Sequence, residues 1–220
     1  MSNPDAPTAV VTGVTRGLGR ALAEALAGAG WTVVGDGRTL RDPGIPGVIA
    51  VPGDVTDSWH RALLVETALE TGRLDLLVNN AGILGPSPQP VLADYPLDVL
   101  RGVYEVNVVA PLALTQLALP ALREYGGAVV NVSSDTATGA YPGWGGYGSA
   151  KAAVEQLSSV LAAEEPKVRV WWVDPGDLRT RMHAEAFPGE DISDRPLPES
   201  VTPAFLRLLA TRPESGRVRL

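Results

Sequence analysis

Six short apolar runs set the frame of this chain: TAVVTG (8–13), TVVG (32–35), VIAV (48–51), LDLLVNN (74–80), AVVNVSS (128–134) and VRVWWVDP (168–175), most of them separated by stretches with helical spacing. Runs of this length with no polar alternation read as strands buried on both faces. Such strands alternating with helices predict a parallel sheet covered on both sides. GRVRL (216–220) supplies a last strand. Between the second and third runs, RTLRDPGIPG (38–47) is short and rich in Pro and Gly, so a loop is expected where a helix could stand. FPGEDISDRPLPES (187–200) is equally loop-prone and is placed to cover a site.

Composition narrows the class further. The 220 residues, 45% hydrophobic and 20% charged, suffice for one domain spanning 1–220, and no repeat or composition break divides them. The first residues lack a basic start followed by a long apolar run, and no run approaches about 18 apolar residues, so neither secretion nor a membrane span is expected. The chain has no cysteine, which fits a reducing compartment, and a cytoplasmic location is expected. A net charge of −7 argues against a nucleic-acid partner. With His60 and His183 as the two histidines, no metal site is expected.

The first strand runs into TGVTRGLG (12–19) and then RALAEALAGAG, a good helix former. Gly13, Gly17 and Gly19 would let the backbone approach a pyrophosphate at a helix N-terminus, where free N–H groups and the dipole favour negative charge. Taken alone, the glycines suit a plain tight turn equally well; their position, strand then glycines then helix, favours the nucleotide loop.

A second cluster lies in SSDTATGAYPGWGGYGSAK (133–151). On a helix Tyr147 and Lys151 share a face one turn apart, so an ammonium stands near a phenol and is expected to lower its pKa. Lowering a phenol by about three units takes roughly 4 kcal/mol. Tyr-x-x-x-Lys alone also describes any solvated helix face. Ser134, at the C-terminal end of the preceding strand, adds a hydroxyl where open parallel sheets bind ligands.

These pieces, in this order, make the chain resemble the short-chain dehydrogenase/reductase family in its single-domain branch. The resemblance runs from TGVTRGLG through Asp54-Val55, NNAG (79–82), Asn107, Ser134, Tyr147 and Lys151 to PGDLRT (175–180). It implies an α/β, Rossmann-type, doubly wound seven-stranded parallel sheet with helices on both faces. It also implies an oxidoreductase that interconverts a carbonyl and a secondary alcohol by hydride transfer from or to a nicotinamide cofactor.

The resemblance implies a role for each residue. Tyr147 would be the general acid and base, Lys151 would lower its pKa and hold the nicotinamide ribose, and Ser134 would hydrogen-bond the substrate oxygen. Ser134 is preferred to Ser133 because it stands at the family spacing before Tyr147, and adjacent serines on a strand face opposite ways. Asn107 would offer its carbonyl to a water linking Lys151 to solvent. Pro111, inside an apolar helical stretch from Leu97 to Leu122, cannot donate to that carbonyl, so the proline is read as part of a proton route; a bend tolerated for packing is the alternative.

For the cofactor, the loop Gly13, Thr15, Arg16, Gly17, Leu18 and Gly19 would hold the pyrophosphate, Asp54 and Val55 the adenine, Asn80, Ala81 and Gly82 the ribose, and Pro175, Gly176, Leu178 and Thr180 the carboxamide. Asn79 reads equally as purely structural. Arg16 and Arg38 favour NADP(H), because Gly37 stands where an NAD-type acid would be. NAD(H) remains the alternative, since a shift of one residue would bring Asp36 to the ribose.

Trp144, Tyr141 and Phe187 are expected to line the pocket of a small-molecule alcohol or ketone, with His183 facing solvent. Trp171 and Trp172 read as core and interface packing. The helices near 97–122 and 144–163 pair across subunits in relatives, and Ala152, Ala153, Leu157, Val160 and Leu161 suit a homodimer or homotetramer. A non-catalytic redox sensor on the same fold is the other reading, disfavoured by the intact Tyr147 and Lys151. A lyase or epimerase of the extended branch would need a larger C-terminal substrate region.

Overall fold

The computed structural model of the chain describes residues 6–39 and 44–220. Seven parallel strands form one sheet in the order β3-β2-β1-β4-β5-β6-β7: β1 (Thr8–Val11), β2 (Thr32–Gly37), β3 (Val48–Pro52), β4 (Leu76–Asn79), β5 (Ala128–Val132), β6 (Arg169–Asp174) and β7 (Gly216–Arg219). The order reverses between β1 and β4, which opens a crevice at the carboxyl ends of the strands. The doubly wound arrangement expected from the sequence is the one observed.

Alternate residues of each strand feed two cores. Ala9, Val11, Val33, Val78, Val130, Trp171 and Val173 pack under α1 (Gly17–Gly28) and α7 (Thr202–Thr211), through Leu22, Leu26, Phe205 and Leu208. Val10, Val34, Leu77, Val129 and Val170 pack on the other face, against Leu64 and Val65 of α2 (Ser58–Glu70) and Leu114 and Leu122 of α4 (Ala110–Tyr125). This two-sided burial is why the strands lack polar alternation. Trp171 is fully buried and its indole N–H donates to Glu214 O at 3.2 Å, so it belongs to the core as expected.

The crossover from β2 to β3 has no helix among its described residues; 40–43, part of the predicted loop, lie outside them. Two helices were not anticipated near the C-terminus: α6 (Arg181–Ala186) and α7, which follow β6. The long stretch around Pro111 is not one regular helix. It divides into α3 (Leu97–Tyr104), a π-helical turn over Glu105–Val109, and α4. Proline at the second position of α4 withholds an N–H where an α-helix needs one, and widening the turn by one residue relieves the conflict.

This helical stretch, Leu97–Tyr125, is 29 residues long and apolar enough to span a bilayer by length and composition alone. Half of its most apolar window is buried within the protein, which is how a core helix satisfies the same composition.

Candidate active site

A cleft of about 930 Å³ runs across the C-terminal ends of the strands. Gly13, Thr15, Arg16, Gly17, Leu18, Gly19, Arg38, Asp54, Val55, Asn80, Ala81 and Gly82 border one part of it, and Ser134, Tyr147, Lys151, Pro175, Gly176, Leu178 and Thr180 border the rest. Of the expected site residues, Asn107 stands back from the cleft, and of the three aromatics expected to line it Trp144 does so while Tyr141 and Phe187 do not. The Asn107 side chain clasps the backbone of Ile83, donating to Ile83 O at 2.8 Å and accepting from Ile83 N at 3.0 Å.

The glycine loop is built for close approach. Gly13 has φ +76°, and a Cβ on Gly19 would lie 2.3 Å from Gly13 O, so larger residues are excluded from the turn. α1 begins at Gly17, and Arg16 before it makes no side-chain bond to the first-turn amides. By contrast, Asp57 caps α2 through Trp59 N at 2.9 Å and Thr180 caps α6 through His183 N at 3.2 Å. The uncapped amides of α1 therefore face the cleft as donors for an anion, and the loop fits the diphosphate of a dinucleotide.

Beneath that loop lies a pair that sequence reasoning missed. Asp36 is buried; one carboxylate oxygen accepts Gly13 N at 2.5 Å and the other meets His60 Nε2 at 3.1 Å. Gly53 makes room for the imidazole, since a Cβ there would stand 2.2 Å from His60 Nδ1. Both Asp36 oxygens are thus engaged within the protein, although the residue borders the cleft beside Gly37 and Arg38. Asn80 is partly spent on bracing: its side-chain nitrogen donates to Thr12 O at 2.8 Å, and the N–H groups of Asn80 and Ala81 donate to Thr12 Oγ1 at 3.0 and 2.9 Å. Asn79 is structural, donating to Asn131 Oδ1 at 2.7 Å and to Thr115 Oγ1 at 3.2 Å.

At the other end of the cleft, α5 (Gly145–Glu164) carries Tyr147 and Lys151 on one face, as the spacing predicts. Both are buried. Lys151 Nζ donates to Val132 O at 2.7 Å and lies 5.5 Å from the centroid of the Tyr147 ring. Burial pulls the ammonium down to about 8. The phenol moves opposite to expectation: burial raises it, and the carboxylates of Asp135 and Asp174 raise it further. Loss of hydration outweighs the neighbouring ammonium because the phenolate is the more costly species to bury here.

Ser134 follows β5 in extended backbone and is half-buried. Its Oγ donates to Asp135 Oδ1 at 2.9 Å and accepts from Thr136 Oγ1 at 3.1 Å. Ser133 is buried and donates to Glu155 Oε1 at 2.6 Å, whereas Ser134 borders the cleft with its one proton on Asp135, so its hydroxyl must turn to donate to a ligand there.

Arg217 of β7 is the second residue that sequence reasoning missed. It reaches Glu155 Oε1 at 2.9 Å, Asp174 Oδ2 at 3.3 Å and Ser134 O at 3.2 Å. One guanidinium thereby ties α5, β6 and the serine segment together. His183 does not face solvent as expected: its side chain is 9% exposed, its ring lies 4.9 Å from Phe187, and Phe187 lies 5.7 Å from Trp144. Trp144 in turn meets Tyr147 edge-on at 6.0 Å, so an aromatic wall borders the reacting end.

The comparisons agree with this geometry. A family model described as short chain dehydrogenase matches residues 7–191. Sepiapterin reductase of Rattus norvegicus is 36% identical over 195 residues, covering 79% of this chain and 74% of its own. A Shigella flexneri protein assigned to the short chain dehydrogenases, solved in complex with NADP, superposes with a TM-score of 0.87 at 30% identity over 98% of this chain and 96% of its own. An alcohol dehydrogenase of the archaeon Thermococcus sibiricus, complexed with 5-hydroxy-NADP, gives 0.85 at 26% identity over 98% and 96%.

Proposed function

The chain belongs to the short-chain dehydrogenase family, and from that premise we propose that it interconverts a ketone and a secondary alcohol with NADP(H), using Tyr147 as general acid and base. The observation that carries this reading is the convergence of Ser134, Tyr147 and Lys151 on the same cleft as the glycine loop. When bound, the nicotinamide supplies or accepts the hydride.

The chain's own residues handle the proton. A phenol raised by burial keeps its proton at neutral pH, which suits it to give that proton to a substrate oxygen during reduction. Ser134 Oγ stands on the cleft, and by turning its proton from Asp135 Oδ1 it can donate a hydrogen bond to the same oxygen as charge develops there. Lys151 Nζ both donates to the Val132 carbonyl and faces the Tyr147 ring, which ties α5 to the end of β5. Asn107 clamps Ile83 and so shapes the wall of the cleft next to the reacting end.

The preference for NADP(H) is supported by Arg16 and Arg38 on the cleft and by the engagement of both Asp36 oxygens with Gly13 and His60. A charge-assisted bond from either arginine is worth about 1.5–3 kcal/mol, enough for tenfold discrimination or more. The relatives solved with NADP and 5-hydroxy-NADP lend the same direction. The proposal includes a homodimer or homotetramer through α4 and α5, whose Leu117 and Val160 are each 44% exposed, and a cytoplasmic location.

The test is consumption of NADPH absorbance against a panel of ketones. We expect turnover with NADPH above NADH, and loss of at least about a hundredfold in Tyr147→Phe. Full activity in that variant would overturn the assignment of Tyr147.

A further inference from the structure

The reacting end of the cleft is acidic. Asp135 and Asp177 stand exposed on its border. Among the described cations at that end, each already has a partner. Lys151 is held by Val132 O at 2.7 Å, Arg181 by Glu185 at 2.6 Å, and His183 lies 3.8 Å from Asp177. Each of these cations is thus partly offset by a protein oxygen before a substrate carboxylate or phosphate could reach it.

Asp135 is the nearest of these charges to the chemistry. Ser134 Oγ donates to Asp135 Oδ1 at 2.9 Å. A substrate oxygen bound to the same Oγ at an ordinary ~2.7 Å therefore lies within about 6 Å of that carboxylate, whatever its direction. A second negative charge on the carbon next to the reacting carbonyl would sit in the same field, in a site partly shielded from water. The apolar surface that borders the cleft there is Trp144, Leu178 and Met182, with Phe187 packed against Trp144 and His183.

We propose that this site takes ketones and alcohols that are uncharged or cationic and carry an aryl or apolar group, and that Asp135 sets the discrimination against anionic ones. The inference rests on the assignment of the Ser134–Tyr147 end as the place of carbonyl reduction. Reduction moves a hydride to the carbonyl carbon and a proton from Tyr147 to its oxygen, so the charge of the distal substituent is unchanged through the reaction.

Three phenyl ketones that differ beside the carbonyl provide the probe: ethyl benzoylformate (neutral), benzoylformate (anionic) and phenacyltrimethylammonium (cationic). With the full chain and NADPH, kcat/KM for benzoylformate is expected below that for its ester. The readout is the ester-to-acid ratio in wild type divided by that in Asp135→Asn, because intrinsic carbonyl reactivity cancels there. A fall of the ratio by about fivefold is expected, with a smaller fall at high salt.

The same three compounds titrated calorimetrically into NADP-loaded protein give the charge order as dissociation constants, independent of turnover. A ratio unchanged in Asp135→Asn, or benzoylformate bound as tightly as its ester, overturns the inference. Absence of turnover for all three, with the charge order intact in binding, would instead count against the reductase assignment and leave the charge discrimination standing.

Discussion

Asp36 accepts the backbone N–H of Gly13 at 2.5 Å, so the loop that would cradle a diphosphate is pinned from below by a buried carboxylate. Removing the carboxylate leaves that N–H and His60 without their partner. Asp36→Ala is expected to lose roughly 1–3 kcal/mol of stability, read from urea midpoints. It should weaken both nicotinamide cofactors alike. A change in the NADP-to-NAD ratio would show that Asp36 reads the ribose after all.

Arg217 offers a test that separates charge from position. Its guanidinium offsets Asp174, one of the carboxylates that raise the Tyr147 phenol. In Arg217→Met that offset is gone, so the phenol rises further and the limb of the pH–rate profile governed by Tyr147 moves to higher pH, by roughly half a unit. Arg217→Lys restores the charge but not the fork that also holds Ser134 O. The pH limb should return toward wild type while kcat stays reduced. Identical profiles in all three proteins would limit Arg217 to a structural role.

At Pro111 the backbone itself is the variable. Pro111→Ala supplies an N–H that Asn107 O can accept and permits the π turn over Glu105–Val109 to close into regular helix. Steady-state turnover is expected to fall severalfold, more at the acid and alkaline flanks than at the optimum, with cofactor affinity unchanged. An unaltered rate and pH dependence would assign the proline to packing alone.

Lys151 should trade stability against activity. Its ammonium titrates at about 8 in the folded chain, against an ordinary 10.5. The folded state therefore binds fewer protons than the unfolded chain between these values, and stability contributed by this group rises with pH across that window. Below about pH 8 burial of the charge costs roughly 3 kcal/mol. Lys151→Met is expected to abolish turnover yet match or exceed wild-type stability at pH 7, with the difference shrinking as pH approaches 10.5. Chemical denaturation at pH 7 and pH 10 checks both the sign and the window.

What the sequence makes legible follows from range. The sheet can be read because each strand is buried on both faces and so appears as an unbroken apolar run. The glycine turn and the Tyr147–Lys151 pair depend on spacings of a few residues. Asp36 with Gly13, His60 with Asp36, and Arg217 with Ser134 are contacts across 23, 24 and 83 residues, and no local pattern announces them. Tyr147 shows a subtler loss: its neighbour is legible, but its burial is not, and burial determines the direction in which the phenol moves. The π turn was hinted at by Pro111, although the sequence alone does not say whether a helix kinks or widens to accommodate it.

One placement ties mechanical endurance to catalysis. β7 is four residues long and among the described strands pairs with β6 alone, so it is an edge held by one ladder of bonds, yet it carries the guanidinium that steadies Ser134. Gentle warming should peel this edge while the rest of the sheet holds, and the enzyme would fall silent several degrees before it melts, recovering on cooling like a resettable fuse.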